Sequence, residues 1–254
     1  MPAPQDTETS GGRHATEPAP AAPRDPVPPA VLLGLTAITG VVDAVCYLAM
    51  GQVFTANMTG NVVLLGLAAA GVPRFSVSRT IVALLAFLAG AVCGGRLASA
   101  MEPHRGHHWA GHAFLVDAMC LFAAAVLSLG MEPPYNYGDA LRIFGVILLT
   151  ALAMGFRNAI VRRLCMPDFT TTVITMTITG LAADSSLAGG GNPHWRRRAG
   201  SVLALFAGAA LGTVMLRRSV ALPLAVCGCA SIVCATAVLL RSYDPGDSSG
   251  EPSA

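Results

Sequence analysis

Three charged side chains lie within otherwise apolar runs of the sequence. Asp43 stands in "TGVVDAVCYL", Asp117 in "AFLVDAMCLF" and Arg157 in "AMGFRNAIVRR". A charge in such surroundings is costly and usually faces the interior of a helix bundle. We therefore treat the two carboxylates as candidates for solute contact, for a proton-titrating pair, or for a buried ion pair that fixes helix register.

A polar segment, "VFTANMTGNVVLLG" (residues 53–66), separates two apolar runs. Asn57 and Thr59 can cap a helix that begins inside a membrane, where unpaired N–H groups are costly. Gly60 and Gly66 would let another backbone approach closely. The N–H groups at the start of such a helix could also hold a polar or anionic solute. The alternative is that these side chains only hold helices together.

Signals for metal or enzyme chemistry are weak in this chain. Four histidines and one glutamate cluster in one segment: Glu102, His104, His107, His108 and His112. We interpret the cluster as a solvated cytoplasmic loop, because no cysteine or closely spaced carboxylate completes a ligand set. The seven cysteines lie mostly in apolar runs, as small buried hydrophobes do. We expect no metal, no cofactor and no catalytic residue, because the usual enzyme motifs are missing.

The composition indicates which elements must position these residues. The chain is 54% hydrophobic and 12% charged, whereas soluble domains contain about 25% charged residues. Its apolar residues form six long runs, at 30–50, 80–101, 110–131, 141–161, 199–216 and 219–240. Since about 20 apolar residues cross the hydrocarbon core, the chain is predicted to be an all-α polytopic membrane protein, with the lipid bilayer as its partner. The net charge of +2 is too small to indicate a nucleic-acid partner.

The two ends of the chain differ from its middle. Residues 1–29 are rich in proline and alanine and contain no apolar run, so we expect a disordered cytoplasmic tail. Residues 242–254 are predicted to form a second, shorter disordered tail. Residues 30–241 are predicted to form the transmembrane domain.

An internal repeat relates two parts of this domain. Residues 43–68 align with 158–183 at an offset of 115 to 116, so that Asp43 meets Asn158. Identity is low, but the order of elements repeats: a long apolar helix, a short polar segment, and two more apolar helices. Repeats of this kind are typical of secondary transporters, which place their solute site near the middle of the membrane.

The short polar segments leave two topologies open. Residues 57–71 would form about 22 Å of helix, which is too short to span the hydrocarbon core, and residues 170–188 contain many threonines. Eight full spans compete with six spans plus two re-entrant or broken segments. Cytoplasmic loops are enriched in basic residues, and the arginines divide ten to five for six spans but nine to six for eight. We favour six spans in two inverted halves, about 30–131 and 141–241, with both termini cytoplasmic in a bacterial plasma membrane.

Three stretches of the sequence carry a resemblance to a known family. The stretch "GVVDAVCYLAMGQVFTANMTGNVVLLGLA" (residues 40–68) closely resembles the signature of the YoaK-like bacterial integral membrane proteins, number 1275 among the domains of unknown function. The stretches "ALAMGFRNAIVRRL" (151–164) and "TTTVITMTITGLA" (170–182) are similar to its second motif region. The resemblance covers about residues 30–240. It implies an integral membrane protein with about six spans, and it implies no particular substrate.

We predict one central polar site at the two interrupted helices. Its residues are Asp43, Asn57, Thr59, Gly60 and Asn61 from the first half, and Arg157, Asn158, Thr171 and Thr175 from the second. We expect Asp43 to form an ion pair with Arg157. Arg157 directly precedes Asn158, the residue that the repeat aligns with Asp43, and the family that the chain resembles usually has Gln at this position.

The predicted function is transport or permeation of a small polar or anionic solute, without enzymatic activity. One alternative is a membrane scaffold that transports nothing. Another is an intramembrane enzyme, in which Asp43 and Asp117 would converge as an acid/base pair. A water-accessible cavity with the predicted lining favours transport, a dry contact favours the scaffold, and adjacent carboxylates in a cavity favour the enzyme.

Overall fold

The computed structural model describes residues 27–101, 108–131, 139–164, 171–191 and 195–242. The regular structure within these ranges is helical. Its eight α-helices are α1 (Pro29–Ala49), α2 (Met58–Ala69), α3 (Val77–Met101), α4 (His108–Leu127), α5 (Asp139–Arg163), α6 (Thr171–Ala183), α7 (Trp195–Leu216) and α8 (Ala221–Ser242). Residues 1–26 and 243–254, in the two predicted tails, lie outside the described residues. Val27, which the sequence assigned to the first tail, is buried in the core.

Six of these helices are long and apolar enough to cross a membrane, which confirms the predicted class. The short helices α2 and α6 contain 12 and 13 residues, so each is only about 18–20 Å long. Many large apolar side chains, Leu85, Phe206 and Val233 among them, are exposed on the bundle, as expected for a surface that faces lipid.

Helices α1 and α5 form the centre of the bundle. The most apolar part of each is 61% buried, against 28% for α3 and 17% for α7. These central helices carry Asp43 and Arg157. The two residues of highest interest are therefore shielded from lipid by the helices around them.

Helices α1 and α7 run in the same direction and cross closely. A Cβ atom at Gly208 would overlap the carbonyl group of Ala37, and a Cβ at Gly212 would meet Val41 one turn further along both helices. In return, a Cβ at Gly40 would overlap the α7 backbone at Leu205. Glycine is required at these positions because a backbone occupies the space that a side chain would fill.

Helices α3 and α5 repeat this crossing. Gly90 packs against Leu152, Gly94 packs against Phe156 one turn later, and Gly155 packs against Phe87 in return. The α3–α5 crossing is therefore the counterpart of the α7–α1 crossing when the two halves of the chain are exchanged.

The remaining neighbours run in opposite directions. Helix α8 is antiparallel to both α1 and α4, and α4 is antiparallel to α5. Between α1 and α8 the contacts are Val31–Cys234 and Ile38–Cys227. Between α4 and α8 they are Gly111–Leu239 and Phe122–Gly228. Between α4 and α5 they are Asp117–Arg157 and Leu127–Gly145.

These directions settle the topology. Because α1 and α4 are both antiparallel to α8, they run in the same direction. Helix α5 is antiparallel to α4 and therefore also to α1. Since α3 runs in the direction of α5, α3 is antiparallel to α1 as well. Helix α2 therefore begins and ends on the same side of the bundle, and α6 does so on the opposite side. The prediction of six spans in two inverted repeats is confirmed, and the eight-span alternative is wrong, since a spanning α2 would make α3 parallel to α1.

Candidate functional site

A cavity of about 600 Å³ lies where the two short helices approach each other. Its walls come from α1, the turn before α2, and parts of α2, α6 and α7. Five of the predicted site residues line it: Asp43, Asn57, Thr59, Gly60 and Thr175. The structure thus brings together polar groups from both halves of the chain.

Asp43 organises the turn that leads into α2. Its Oδ1 accepts hydrogen bonds from the backbone N–H groups of Thr55 and Ala56, each at 2.8 Å. A turn inside a membrane must satisfy its backbone N–H groups within the protein, and a carboxylate is a strong acceptor for them. Asp43 is only 9% exposed, so its contacts are this turn and the cavity.

Two asparagines hold the start of α2. Asn57 is the N-cap, and its Oδ1 accepts from the N–H group of Gly60 at 3.2 Å, as the sequence predicted. The Oδ1 of Asn61 accepts from the N–H group of Phe54 at 2.9 Å, and its amide nitrogen donates to the Phe54 carbonyl. Asn61 is fully buried and does not line the cavity. Its contacts fix the turn.

Gly60 lies beneath an aromatic ring. A Cβ atom at this position would lie 2.9 Å from the ring of Phe54 and 3.1 Å from the Asn57 side chain. The Phe54 ring is stacked on Tyr47 with 4.9 Å between centroids and 20° between the ring planes. The expected close approach of another backbone is therefore wrong for Gly60, which admits a ring, and also for Gly66, which has nothing within 4 Å of its Cβ position.

Arg157 forms its ion pair with Asp117. Its Nε lies 3.4 Å from Asp117 Oδ1, and the two side chains are 4% and 0% exposed. Its Nη1 donates to the Leu35 carbonyl at 3.0 Å, and its Nη2 contacts the Met154 sulfur at 2.8 Å. The second oxygen of Asp117 accepts from Ser231 Oγ at 2.7 Å. This cluster joins α1, α4, α5 and α8 and does not line the cavity.

The predicted ion pair between Asp43 and Arg157 is wrong, and inverted symmetry explains why. Each residue lies six positions before the end of its helix. Because α1 and α5 run in opposite directions, these positions fall on opposite sides of the midplane.

The second half of the chain contributes less to the cavity than predicted. Thr175 lines it together with Ile174. Asn158, the repeat mate of Asp43, is half-buried on α5 and does not line it. The Thr171 side chain lies outside the described part of the chain. The repeat therefore positions the two short helices symmetrically, while the polar lining comes mainly from the first half.

Sequence reasoning missed the aromatic side of the cavity. Tyr47 and Phe54 both line it, as do Gly40 and Ala44. Positions 40, 43, 44 and 47 follow the pattern i, i+3, i+4, i+7, so they share one face of α1. This spacing was the available signal, whereas Phe54 reaches the cavity only because the turn folds back onto that face.

Among the described residues, no group of three or more His, Cys, Asp or Glu side chains lies close enough together to hold a metal ion. His112 lies on α4, while Glu102, His104 and His107 fall outside the described residues. Cys46, Cys227 and Cys234 are buried as expected, but Cys93 and Cys229 are exposed on the bundle. The buried-hydrophobe interpretation is therefore wrong for those two.

The fold and the site define a polytopic helical membrane protein with two inverted repeats and a polar cavity at its interrupted helices. The model of the family described as "Protein of unknown function (DUF1275)" matches residues 31–239, and the chain belongs to this family. It is 33% identical over 156 residues to the "UPF0700 transmembrane protein YoaK" of Bacillus subtilis (strain 168). That match covers 61% of this chain and 66% of the relative, just under two thirds of its length. No solved structure matches significantly.

Proposed function

We propose that this protein transports a small solute across the membrane, or lets it permeate, through the cavity between α2 and α6. The observation that carries the proposal is the cavity itself, with Asp43, Asn57 and Thr59 from one half and Thr175 from the other in its lining. Its volume of about 600 Å³ falls in the range of small-molecule sites, which hold roughly 300–1,000 Å³.

The inverted repeat suggests how such a cavity could serve both sides. Helix α2 enters the bundle from one side and α6 from the other, and each packs mainly on one long helix, α2 on α3 and α6 on α7. A small movement of either pair against the central helices would open the cavity toward its own side. This is the alternating-access arrangement typical of inverted-repeat transporters.

The two alternatives have less support. An acid/base enzyme needs both carboxylates in one cavity, but Asp117 is fully buried and held by Arg157 and Ser231. A scaffold needs the polar groups only as contacts between helices. The Asp117–Arg157 cluster fits that role, whereas the cavity-lining threonines, Thr59 and Thr175, are exposed and donate no hydrogen bond within the described residues. We therefore propose a non-enzymatic transporter or permease.

We also propose that both termini face the cytoplasm and that the host membrane is the bacterial plasma membrane. Among the described residues, seven arginines lie at the end of the bundle where α1 begins: 96, 162, 163, 196, 197, 198 and 241. Five lie at the opposite end: 74, 79, 142, 217 and 218. The end with more basic residues is expected to be cytoplasmic.

Labelling in intact cells tests this orientation. In a cysteine-free background, Arg74→Cys and Arg217→Cys should react with a membrane-impermeant thiol reagent from outside, while Arg163→Cys should react only after lysis. Protection of position 74 together with external labelling of position 163 would reverse the proposed orientation.

Accessibility of the cavity tests the transport proposal. Single cysteines at Thr59 and Thr175 should react with a small water-soluble thiol reagent, whereas Ser231→Cys, at a fully buried position between α4 and α8, should stay protected. Alternating access exposes the same cavity to each side in turn, so in proteoliposomes of uniform orientation both positions should be modified by reagent added on either side. If both cavity positions are as protected as position 231, the contact is dry and the scaffold alternative is favoured.

A further inference from the structure

We propose that the solute of this cavity is a small organic cation, such as a protonated or quaternary amine. The inference rests on the transport function proposed above and narrows it to one chemical class. Among the described residues that line the cavity, Asp43 carries the only formal charge, and the other polar groups are neutral amides and hydroxyls. An anion would face a carboxylate with no basic side chain to offset it.

The start of α2 is a poor anion site. The Asn57 side chain occupies the N–H group of Gly60, and its carbonyl occupies that of Asn61. Asp43 occupies the N–H groups of the two residues just before Asn57. An anion that bound the N–H groups of Gly60 or Asn61 would have to displace these hydrogen bonds, and it would lie close to the Asp43 carboxylate, so this helix start disfavours the predicted anionic solute.

The balance of buried charge favours a cation. The buried charged residues among those described are Asp43, Asp117 and Arg157, with a net charge of −1. The guanidinium of Arg157 contacts Asp117 and the Leu35 carbonyl. Among the described residues, no basic side chain therefore forms an ion pair with Asp43. A cation in the cavity next to Asp43 would supply the opposite charge.

The aromatic wall fits the same class of solute. The stacked rings of Tyr47 and Phe54 both line the cavity, on the turn that Asp43 holds. Aromatic faces attract organic cations through their negative π-density, and quaternary ammonium groups are the best-known ligands of this kind. A cavity of about 600 Å³ is too large for a bare metal ion and suits an organic cation of several heavy atoms.

Binding of charged and uncharged analogues to the full-length protein in lipid nanodiscs tests this proposal. Choline and ethylammonium should raise the midpoint of thermal unfolding and bind in calorimetry. The uncharged isostere of choline, 3,3-dimethyl-1-butanol, and the anion acetate should do neither. Asp43→Asn keeps an oxygen that can accept both backbone hydrogen bonds but removes the charge, and it should weaken choline binding by about 30-fold or more.

Two further variants separate the cation site from general stability. Tyr47→Leu removes one ring and should weaken choline binding by about 3- to 30-fold. Asp139→Asn, at the start of α5 and away from the cavity, should bind choline like the parent protein.

The cation class is overturned if 3,3-dimethyl-1-butanol or acetate binds as well as choline. It is also overturned if neither cation binds although Thr59→Cys and Thr175→Cys are labelled. If the two cysteines are labelled, either result leaves the transport proposal standing. Protection of both cysteines would instead reject the transport proposal, so the two failures are distinguishable.

Discussion

Two carboxylates are buried in this bundle, and their surroundings differ. Asp43 accepts hydrogen bonds from the backbone of an irregular turn and lines the cavity. Asp117 lies against regular helices, is fully buried, and is held by the side chains of Arg157 and Ser231. One carboxylate satisfies backbone groups and remains in contact with a cavity, and the other is enclosed by side chains.

The difference shows what a buried charge needs in a membrane protein. An interrupted helix leaves N–H groups without partners, so a carboxylate beside the turn finds donors in the backbone. A regular helix has no such groups to spare, so Asp117 requires a basic side chain from another helix. The two aspartates look equivalent in the sequence, but the regularity of the neighbouring backbone assigns them different roles.

The largest expected effect concerns the enclosed pair. Asp117→Asn should destabilise the protein by about 3–5 kcal/mol, because it leaves the Arg157 guanidinium buried without its counter-charge. Unfolding in detergent, followed by circular dichroism, measures the loss. The double variant Asp117→Asn/Arg157→Gln should recover much of the stability, because no unpaired charge remains. Additive effects of the two substitutions would show that the ion pair does not couple these residues.

A smaller effect is expected at the carboxylate of the turn. Asp43→Ala removes the acceptor of two backbone hydrogen bonds and should cost about 1.5–3 kcal/mol. Asp43→Asn keeps an acceptor oxygen and should cost less than about 1 kcal/mol. The same unfolding assay compares the two variants. Equal losses would mean that the charge of Asp43, and not its acceptor oxygen, stabilises the turn.

The last comparison concerns two glycines of α2 and tests how tightly the turn is packed. Gly60→Ala should cost about 1–3 kcal/mol, because its Cβ would lie 2.9 Å from the Phe54 ring. Gly66→Ala is the matched control: its Cβ position is open, and the gain in helix propensity should stabilise α2 by about 0.5–1 kcal/mol. Opposite signs in thermal unfolding are expected. A stabilising Gly60→Ala would place the ring elsewhere than in this structure.

The sequence by itself determined the features that depend on local composition. Runs of about 20 apolar residues can satisfy their backbone in lipid only as helices, so the six spans were readable without a structure. The presence of a helix too short to span the membrane was predicted from the length of the segment 57–71. The Asn57 cap was also predictable, because its bond to Gly60 joins residues three positions apart and needs no distant partner.

Tertiary structure alone decided how distant helices meet. The sequence repeat relates Asp43 to Asn158 but contains no information on where α4 lies, and α4 supplies the partner of Arg157. The repeat also could not show that Phe54 would fold over Gly60 and beside Tyr47, since the path of an irregular turn depends on the acceptors around it. The spans follow from the free-energy cost of exposing unpaired backbone groups to lipid, because each apolar segment can pair its own backbone groups by forming a helix. The pairing of buried charges and the cavity follow from packing between segments, which no single segment specifies.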